Sequence, residues 1–462
     1  MDLMVGRLQQ ASPEGYFLNA FFCALNAAGV RYAVMRNYAS LPHSADGSDL
    51  DILVTPGDQE TLRDILFRSI ERSNGVAIGC SSTLGFFKVF AFGLNQTGIE
   101  SWWGLRIDVN VGYSFRGADV IEMEHICEFQ RVYNGVQVLT SDLAAVLGVL
   151  KEVLNNDHMP ERYLRDADRA VRGDWARLNR ILRPLGERGL ALLREIILEV
   201  KDSAHVVAQA KALRRALFWQ SMKKSPVSYL GNRLLHEWAK VRRYLCPSGV
   251  VIAVLGVDGV GKSTVISAIE PVLKDATHGA LQIKHLRPGL LPPLARLKGK
   301  QVGQTGPVLD PHGSTPSGVF GSVFRLLYLT ADYVLGYWLL LRPKVAKSPT
   351  VILFDRYCYD MALDPRRFRI GIRGRVVDWF LSLIPKPDVV LCLHADLHTI
   401  MARKQELPLA EITRQVNSLR DLAQREARAI LISTEGTPED VRDRLLKELQ
   451  IEFGRRNLKR RI

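Results

Sequence analysis

The sequence predicts an α/β protein in its C-terminal part, preceded by a mixed α+β region and a helical extension. Three observations carry that expectation. After Pro247-Ser-Gly249, five apolar strand-like runs (VVIAVL, LQIKHL, TVILF, DVVLCL, AILIS) alternate with helical segments, the pattern of a five-stranded, mostly parallel sheet covered on both faces. The first of these runs leads into GVDGVGKST, residues 256–264. Residues 1–140 instead mix a helix near 14–29 with strands at YAVMR, LDILV and LRIDVNV.

Along the chain, leucines at three- and four-residue spacing through LAAVLGVLKEVL and ALLREIILEV make the region after 140 helical. Residues 211–246 interleave Lys and Arg with Phe218, Trp219, Tyr229, Trp238 and Tyr244. Such a segment either lies on an anionic membrane or packs between domains with a solvated basic face. Pro247 and Gly249 mark the next boundary. The expected domains are therefore 1–140, 141–246 and 247–462. Residues 288–318, rich in Gly and Pro, read as a long loop, either a lid or an unstructured stretch. VFGSVFRLLYLTADYVLGYWLLL, 319–341, has the length of a membrane span, but it carries Arg325 and Asp332 seven apart and so on nearly one helical face. A buried helix showing two polar groups to a site accounts for that pattern better than lipid does.

Composition bounds the function. The chain has 462 residues, 47% of them hydrophobic and 24% charged, as in soluble globular proteins. Its net charge of +14 favours polyanionic partners. The six cysteines are scattered without a CxxC pair, which argues against zinc and a disulfide framework and for a reducing compartment. Acidic residues Asp2 and Glu14 and the lack of a basic run near the N-terminus argue against a signal peptide.

Gly256, Gly261, Lys262 and Ser263 fill the pattern GxxxxGK[ST] between a strand and a helix. Glycines let backbone N–H groups curl toward phosphate oxygens, and the helix that follows adds its positive end. The expected nucleotide contacts run through Gly256, Val257, Asp258, Gly259, Val260, Gly261, Lys262, Ser263 and Thr264. Lys262 would reach the terminal phosphates, and the Ser263 hydroxyl would ligate magnesium. A second carboxylate for the metal shell should close a neighbouring strand, and TVILFDRY offers Asp355, followed at once by Arg356.

GVDGVGKST and this DRY resemble the phosphate loop and DRY element of thymidylate kinases, over about 250–445. The resemblance implies a P-loop nucleoside monophosphate kinase fold, with ATP as donor and Mg2+ as its metal. It implies that Asp258 contacts the acceptor sugar, that Arg356 grips the acceptor phosphate, and that Arg287 in HLRPG is a further phosphate arginine. ARKQE at 402–406 falls at the family's lid, making Arg403 and Lys404 transition-state cations. The catalytic set carried over is thus Lys262, Asp258, Asp355, Arg356, Arg403 and Lys404, with Arg287, Asp332, Tyr333 and Arg356 on the acceptor side. One helix departs from the family: in LTADY, Leu329 stands at the base-stacking position and Tyr333 at an arginine. DMALDPRRFR adds three arginines after DRY, which form either a phosphate pocket or a solvated basic turn. These features are similar to thymidylate kinase-like proteins linked to bacterial surface polysaccharide synthesis.

Upstream, GSDLDILV sets Asp49 and Asp51 on one face of a strand, and LRIDVNV places Asp108 on a polar face. Three such carboxylates could bind magnesium around a triphosphate. The arrangement resembles the polymerase-beta kind of nucleotidyltransferase, with one departure: Gly47-Ser48 abuts the acids, and Met35-Arg36-Asn37 stands where that pair is usual. The acids are otherwise a solvated strand edge.

The leading expectation is ATP- and Mg2+-dependent phosphoryl transfer to a nucleoside monophosphate, with a second, nucleotidyltransferase activity. The alternatives are a kinase for a sugar or sugar phosphate in polysaccharide synthesis, and a nucleotide-gated assembly factor that binds ATP without turnover. Expected partners are a small-molecule phosphate or sugar acceptor, a membrane surface touched peripherally through 211–246, and a second copy in a homodimer, with no sequence-specific nucleic acid. The expected location is the cytoplasm, including the inner face of the membrane.

Overall fold

A computed structural model describes residues 12–95, 101–199, 203–294, 317–372, 374–403 and 407–460. They form two compact units that divide after Arg242, with Val76–Gly79 grouped into the second. Lys404 and most of the 288–318 loop lie outside the described residues.

The first unit opens with α1 (Gly15–Ala27), β1 (Tyr32–Val34), β2 (Leu50–Val54) and α2 (Gln59–Arg72). β3 (Gly75–Thr83), β4 (Phe86–Asn95), β5 (Ser101–Val111), the short pair β6 (Ser114–Phe115) and β7 (Ala118–Asp119), then β8 (Gln130–Tyr133) and β9 (Val136–Leu139) follow. Seven strands make one mixed sheet in the order β3-β4-β5-β2-β1-β9-β8. Parallel pairing of β2 with β5 sets Asp51 opposite Asp108. The helices α3 (Ser141–Asn156), α4 (Glu161–Gly173), α5 (Trp175–Ile181), α6 (Gly186–Leu198), α7 (Ser203–Lys224) and α8 (Pro226–Leu245) come next. One core joins sheet and helices: Ala33, Leu53 and Phe129 pack with Leu147, Leu193 and Leu217.

The basic aromatic segment divides at Ser225. α7 buries Ala210, Leu213 and Leu217 in that core, whereas α8, Pro226–Leu245, buries only Tyr229.

The second unit contains β10 (Val250–Leu255), α9 (Lys262–Thr277), β11 (Leu281–His285), α10 (Val319–Gly336), α11 (Arg342–Lys347) and β12 (Val351–Asp355). After these come α12 (Asp360–Leu363), α13 (Arg375–Leu383), β13 (Val389–His394), α14 (Leu397–Arg403), α15 (Leu409–Arg425), β14 (Ala429–Ser433) and α16 (Pro438–Arg460). The five strands are parallel, in the order β11-β12-β10-β13-β14. All six residues of β10 are buried, as expected of a central strand covered on both faces. All five expected strands are present, and the phosphate-loop sequence leaves the C-terminal end of the central one, where open α/β sheets bind ligands.

α10 continues through a π-helical turn, Tyr337–Leu341, into α11. The whole span, Val319–Lys347, is long and apolar enough to cross a membrane. One side of it belongs to the core: Leu326, Leu329 and Tyr333 pack with Phe354, Tyr357 and Phe380.

Candidate active site

Gly256 ends β10 where no side chain fits, since a Cβ there would lie 2.7 Å from Val260 Cγ1 and 3.1 Å from the Leu393 carbonyl oxygen. Gly261, with φ +101°, takes a backbone conformation that L side chains avoid. Val257 and Val260 are buried and pin the loop from below. α9 begins at Lys262, so its unpaired N–H groups and positive dipole end lie at the loop. Ser263 and Thr264, on the first turn, are exposed.

Lys262 is buried, and its Nζ donates to the carbonyls of Gly256 (2.9 Å) and Val257 (2.8 Å). The Asp258 carboxylate lies 3.6 Å from it. Burial and then the neighbouring Arg356 push the Lys262 ammonium down to about 8.

Asp258 is the hub. Its Oδ1 pairs with Arg356 and its Oδ2 with Arg367, both in short contacts. Burial would raise this acid, but Arg356, Lys262 and Arg367 outweigh it and hold the carboxyl below its usual range. Arg356 is buried at a φ of 72°, and its other arm donates to Asp360 Oδ2 at 2.6 Å. A non-glycine residue there carries strain on the order of 1–3 kcal/mol, which active sites tend to retain. Burial works against the Arg356 charge, yet Asp360 and Asp258 raise its pKa above the usual value.

Asp355 closes β12 beside Val254 of β10 and His285 of β11. Its Oδ2 lies 3.2 Å from His285 Nδ1, while its Oδ1 is buried without a hydrogen-bond partner. An orphaned carboxylate oxygen at the end of this strand suits a metal ligand. Burial would raise Asp355 too, but the His285 hydrogen bond and nearby charges keep it low.

Arg287, Asp332 and Tyr333 form a second group. Arg287 Nη1 stands 3.3 Å from the fully buried Asp332, which also accepts from the Leu291 amide at 2.6 Å. Tyr333 is buried, edge-on to Tyr357 with centroids 5.0 Å apart, and its hydroxyl donates to the Leu286 carbonyl. Tyr333 thus holds the backbone just before Arg287. Leu329, at the position of the expected base stack, is a buried core residue. Arg403 reaches the phosphate loop from α14, donating to the Val260 carbonyl at 3.2 Å and the Thr434 carbonyl at 3.1 Å.

The expected residues Lys262, Asp258 and Arg356 therefore converge, and Arg367 of DMALDPRRFR joins them. Sequence reasoning missed Asp360 and His285. The first opens α12 four residues beyond Arg356, and since Arg356 itself is not helical no local spacing rule marks the pair. The second becomes visible only from the parallel register of β11 and β12.

In the first unit, ligand atoms of Asp49, Asp51 and Asp108 lie within 4.8 Å of one another. Arg36 Nη2 donates to both Asp49 oxygens at 3.1 and 3.2 Å, and its Nε pairs with Asp51. Arg106 Nε donates to Asp108 at 2.9 Å. Burial disfavours the Arg36 charge, but Asp51 and Asp49 outweigh it and raise its pKa. Burial dominates at Asp51, whose carboxyl is raised despite Lys151 and Arg36. All three acids are matched by guanidinium groups, so a magnesium ion does not fit this cluster unless Arg36 and Arg106 leave it. A cavity of about 400 Å³ adjoins it, lined in part by Arg36, Asp51, Tyr113, Lys151 and Tyr163.

No family model matches the sequence. The chain is 28% identical over 187 residues to a "Probable thymidylate kinase" of Pyrobaculum aerophilum, a stretch that covers 40% of this chain and 85% of that protein. A crystal structure of thymidylate kinase from Ehrlichia chaffeensis aligns with 44% of this chain and all of its own, at 16% identity and a TM-score of 0.32. Over 40% of its length, the chain is weakly similar in sequence to that probable thymidylate kinase.

Proposed function

We propose that the second unit transfers the terminal phosphoryl group of ATP to a small molecule that already carries a phosphate. A nucleoside monophosphate is the leading acceptor class and a sugar phosphate the second. The observation that carries this reading is the convergence of three cations, Lys262, Arg356 and Arg367, on the single carboxylate of Asp258. Asp360 backs Arg356 and Asp364 backs Arg367, which holds both guanidinium groups in place to exchange Asp258 for the phosphate of an anionic acceptor next to a triphosphate.

The chemistry asks little of a base. An acceptor phosphate oxygen attacks the γ-phosphorus while the bond to the β-bridging oxygen breaks and ADP leaves. The attacking oxygen is already anionic. Lys262 and the two arginines balance the charge on the transferring and accepting groups. Ser263 and Asp355 are the residues that would hold magnesium, which screens the phosphate charges. A hydroxyl acceptor would need a base, and Asp258, held ionised at low pKa by its cations, is a weak one. The same argument favours a sugar phosphate over a free sugar. Leu329 in place of an aromatic supports keeping sugar phosphates beside nucleotides as acceptors.

ADP release measured with matched pairs, nucleoside against nucleoside monophosphate and sugar against sugar phosphate, tests the reading. Only the phosphorylated member of a pair should stimulate it, and Arg356→Ala should weaken that stimulation. Equal stimulation by neutral acceptors would overturn it. ADP release indifferent to every acceptor would instead favour the nucleotide-gated assembly factor.

A further inference from the structure

We propose that α8 is a docking helix for an anionic lipid surface. Its six residues Val227, Leu230, Leu234, Trp238, Val241 and Leu245 are exposed at 84, 49, 71, 61, 48 and 62% of their surface. At the helical repeat of about 100° per residue they fall within an arc of roughly 80°, one unbroken apolar stripe over the full helix. Tyr229 lies well round the helix from that stripe and is the residue that joins the first unit's core. The stripe therefore faces away from the contact that joins α8 to the first unit's core.

Charge selects the occupant. From 223 to 245 the basic residues are Lys223, Lys224, Arg233, Lys240, Arg242 and Arg243, against the single acid Glu237. Lys240 Nζ sits 2.9 Å from both Glu237 oxygens, which neutralises that acid. Arg233 and Arg242 flank the stripe on either side. An apolar stripe with a tryptophan, bordered by cations, matches the boundary between acyl chains and anionic headgroups. A second copy fits less well, since stripe-to-stripe contact would bring flanks of the same sign together. α7 does not share the role: Leu213 and Leu217 are buried, and its exposed aromatics, Phe218 and Trp219, are adjacent residues that form no stripe along the helix.

The full-length protein should be co-sedimented with vesicles of phosphatidylcholine alone and with added phosphatidylserine, and its mass followed by light scattering. Wild type should sediment with the mixed vesicles and far less with phosphatidylcholine alone. Leu234→Glu with Trp238→Glu should abolish sedimentation at unchanged thermal melting, since both sites are exposed. Arg233→Glu with Arg242→Glu should weaken it on the order of several hundredfold, because each unit of charge near a charged surface is worth about fivefold and each reversal changes two. Lys262→Ala should sediment like wild type. The proposal fails if wild type stays in solution with the mixed vesicles, or if the α8 variants bind them unchanged. It fails equally if those variants convert a dimer to a monomer while vesicle binding persists, which would make the stripe an interface between copies.

Discussion

Asp258 and Lys262 show how a phosphate loop is tuned by its neighbours. Burial and Arg356 hold Lys262 at about 8, so its ammonium is charged below that value and neutral above it. Charge on Lys262 favours a bound triphosphate. The ATP affinity of the free protein should therefore fall as pH rises through about 8, measured by calorimetry on either side of that value. A flat profile would mean that Lys262 keeps its proton throughout. Arg367 makes a second residue-scale prediction. Arg367→Ala removes a charge-assisted contact worth about 1.5–3 kcal/mol, so KM for a phosphorylated acceptor should rise roughly 10- to 100-fold. KM for ATP should change much less, and an equal rise in both would place Arg367 outside the acceptor site. Lys262, Asp258 and Arg356 were legible because they sit in local patterns with a physical purpose. Arg367 was not, since nothing local in DPRRFR says where that turn leads.

At the scale of elements, the second unit was legible strand by strand. Its five strands are short apolar runs set off by turn residues, the pattern buried parallel strands require. In the first unit, β3, β4, β8 and β9 were not anticipated. β4, FFKVFAFGLN, has six consecutive buried residues and so lacks the alternation that marks a half-exposed strand. The acid cluster was legible on β2 and β5, but its occupant was not. Arg36 follows β1, and the antiparallel pairing of β1 with β2 brings it to Asp49 and Asp51. Element packing also sets stability. Phe354 is fully buried on β12 one residue before Asp355. Phe354→Ala should cost about 3–5 kcal/mol, read as the shift of the urea transition that ATP binding delays. A cost under about 1 kcal/mol would mean that β12 does not form the core of that unit.

At the scale of the whole molecule, two units each with a core of its own combine on one basic chain. Independently packed sites that share no partners act additively. Asp49→Asn should therefore leave the phosphoryl transfer rate within about twofold of wild type, and a large loss would show that the acid cluster takes part in the kinase reaction. The segment 211–246 could be read as basic and aromatic from sequence alone. Which of its helices is buried required the fold, because amphipathic helices of this composition serve both roles. The central claim concerns where the γ-phosphate of ATP goes. The most direct measurement is an acceptor screen with γ-labelled ATP, followed by identification of the labelled product. Label should appear in a phosphorylated acceptor and vanish with Lys262→Ala. Label found only in inorganic phosphate, at a rate that no nucleoside monophosphate or sugar phosphate changes, would contradict the account.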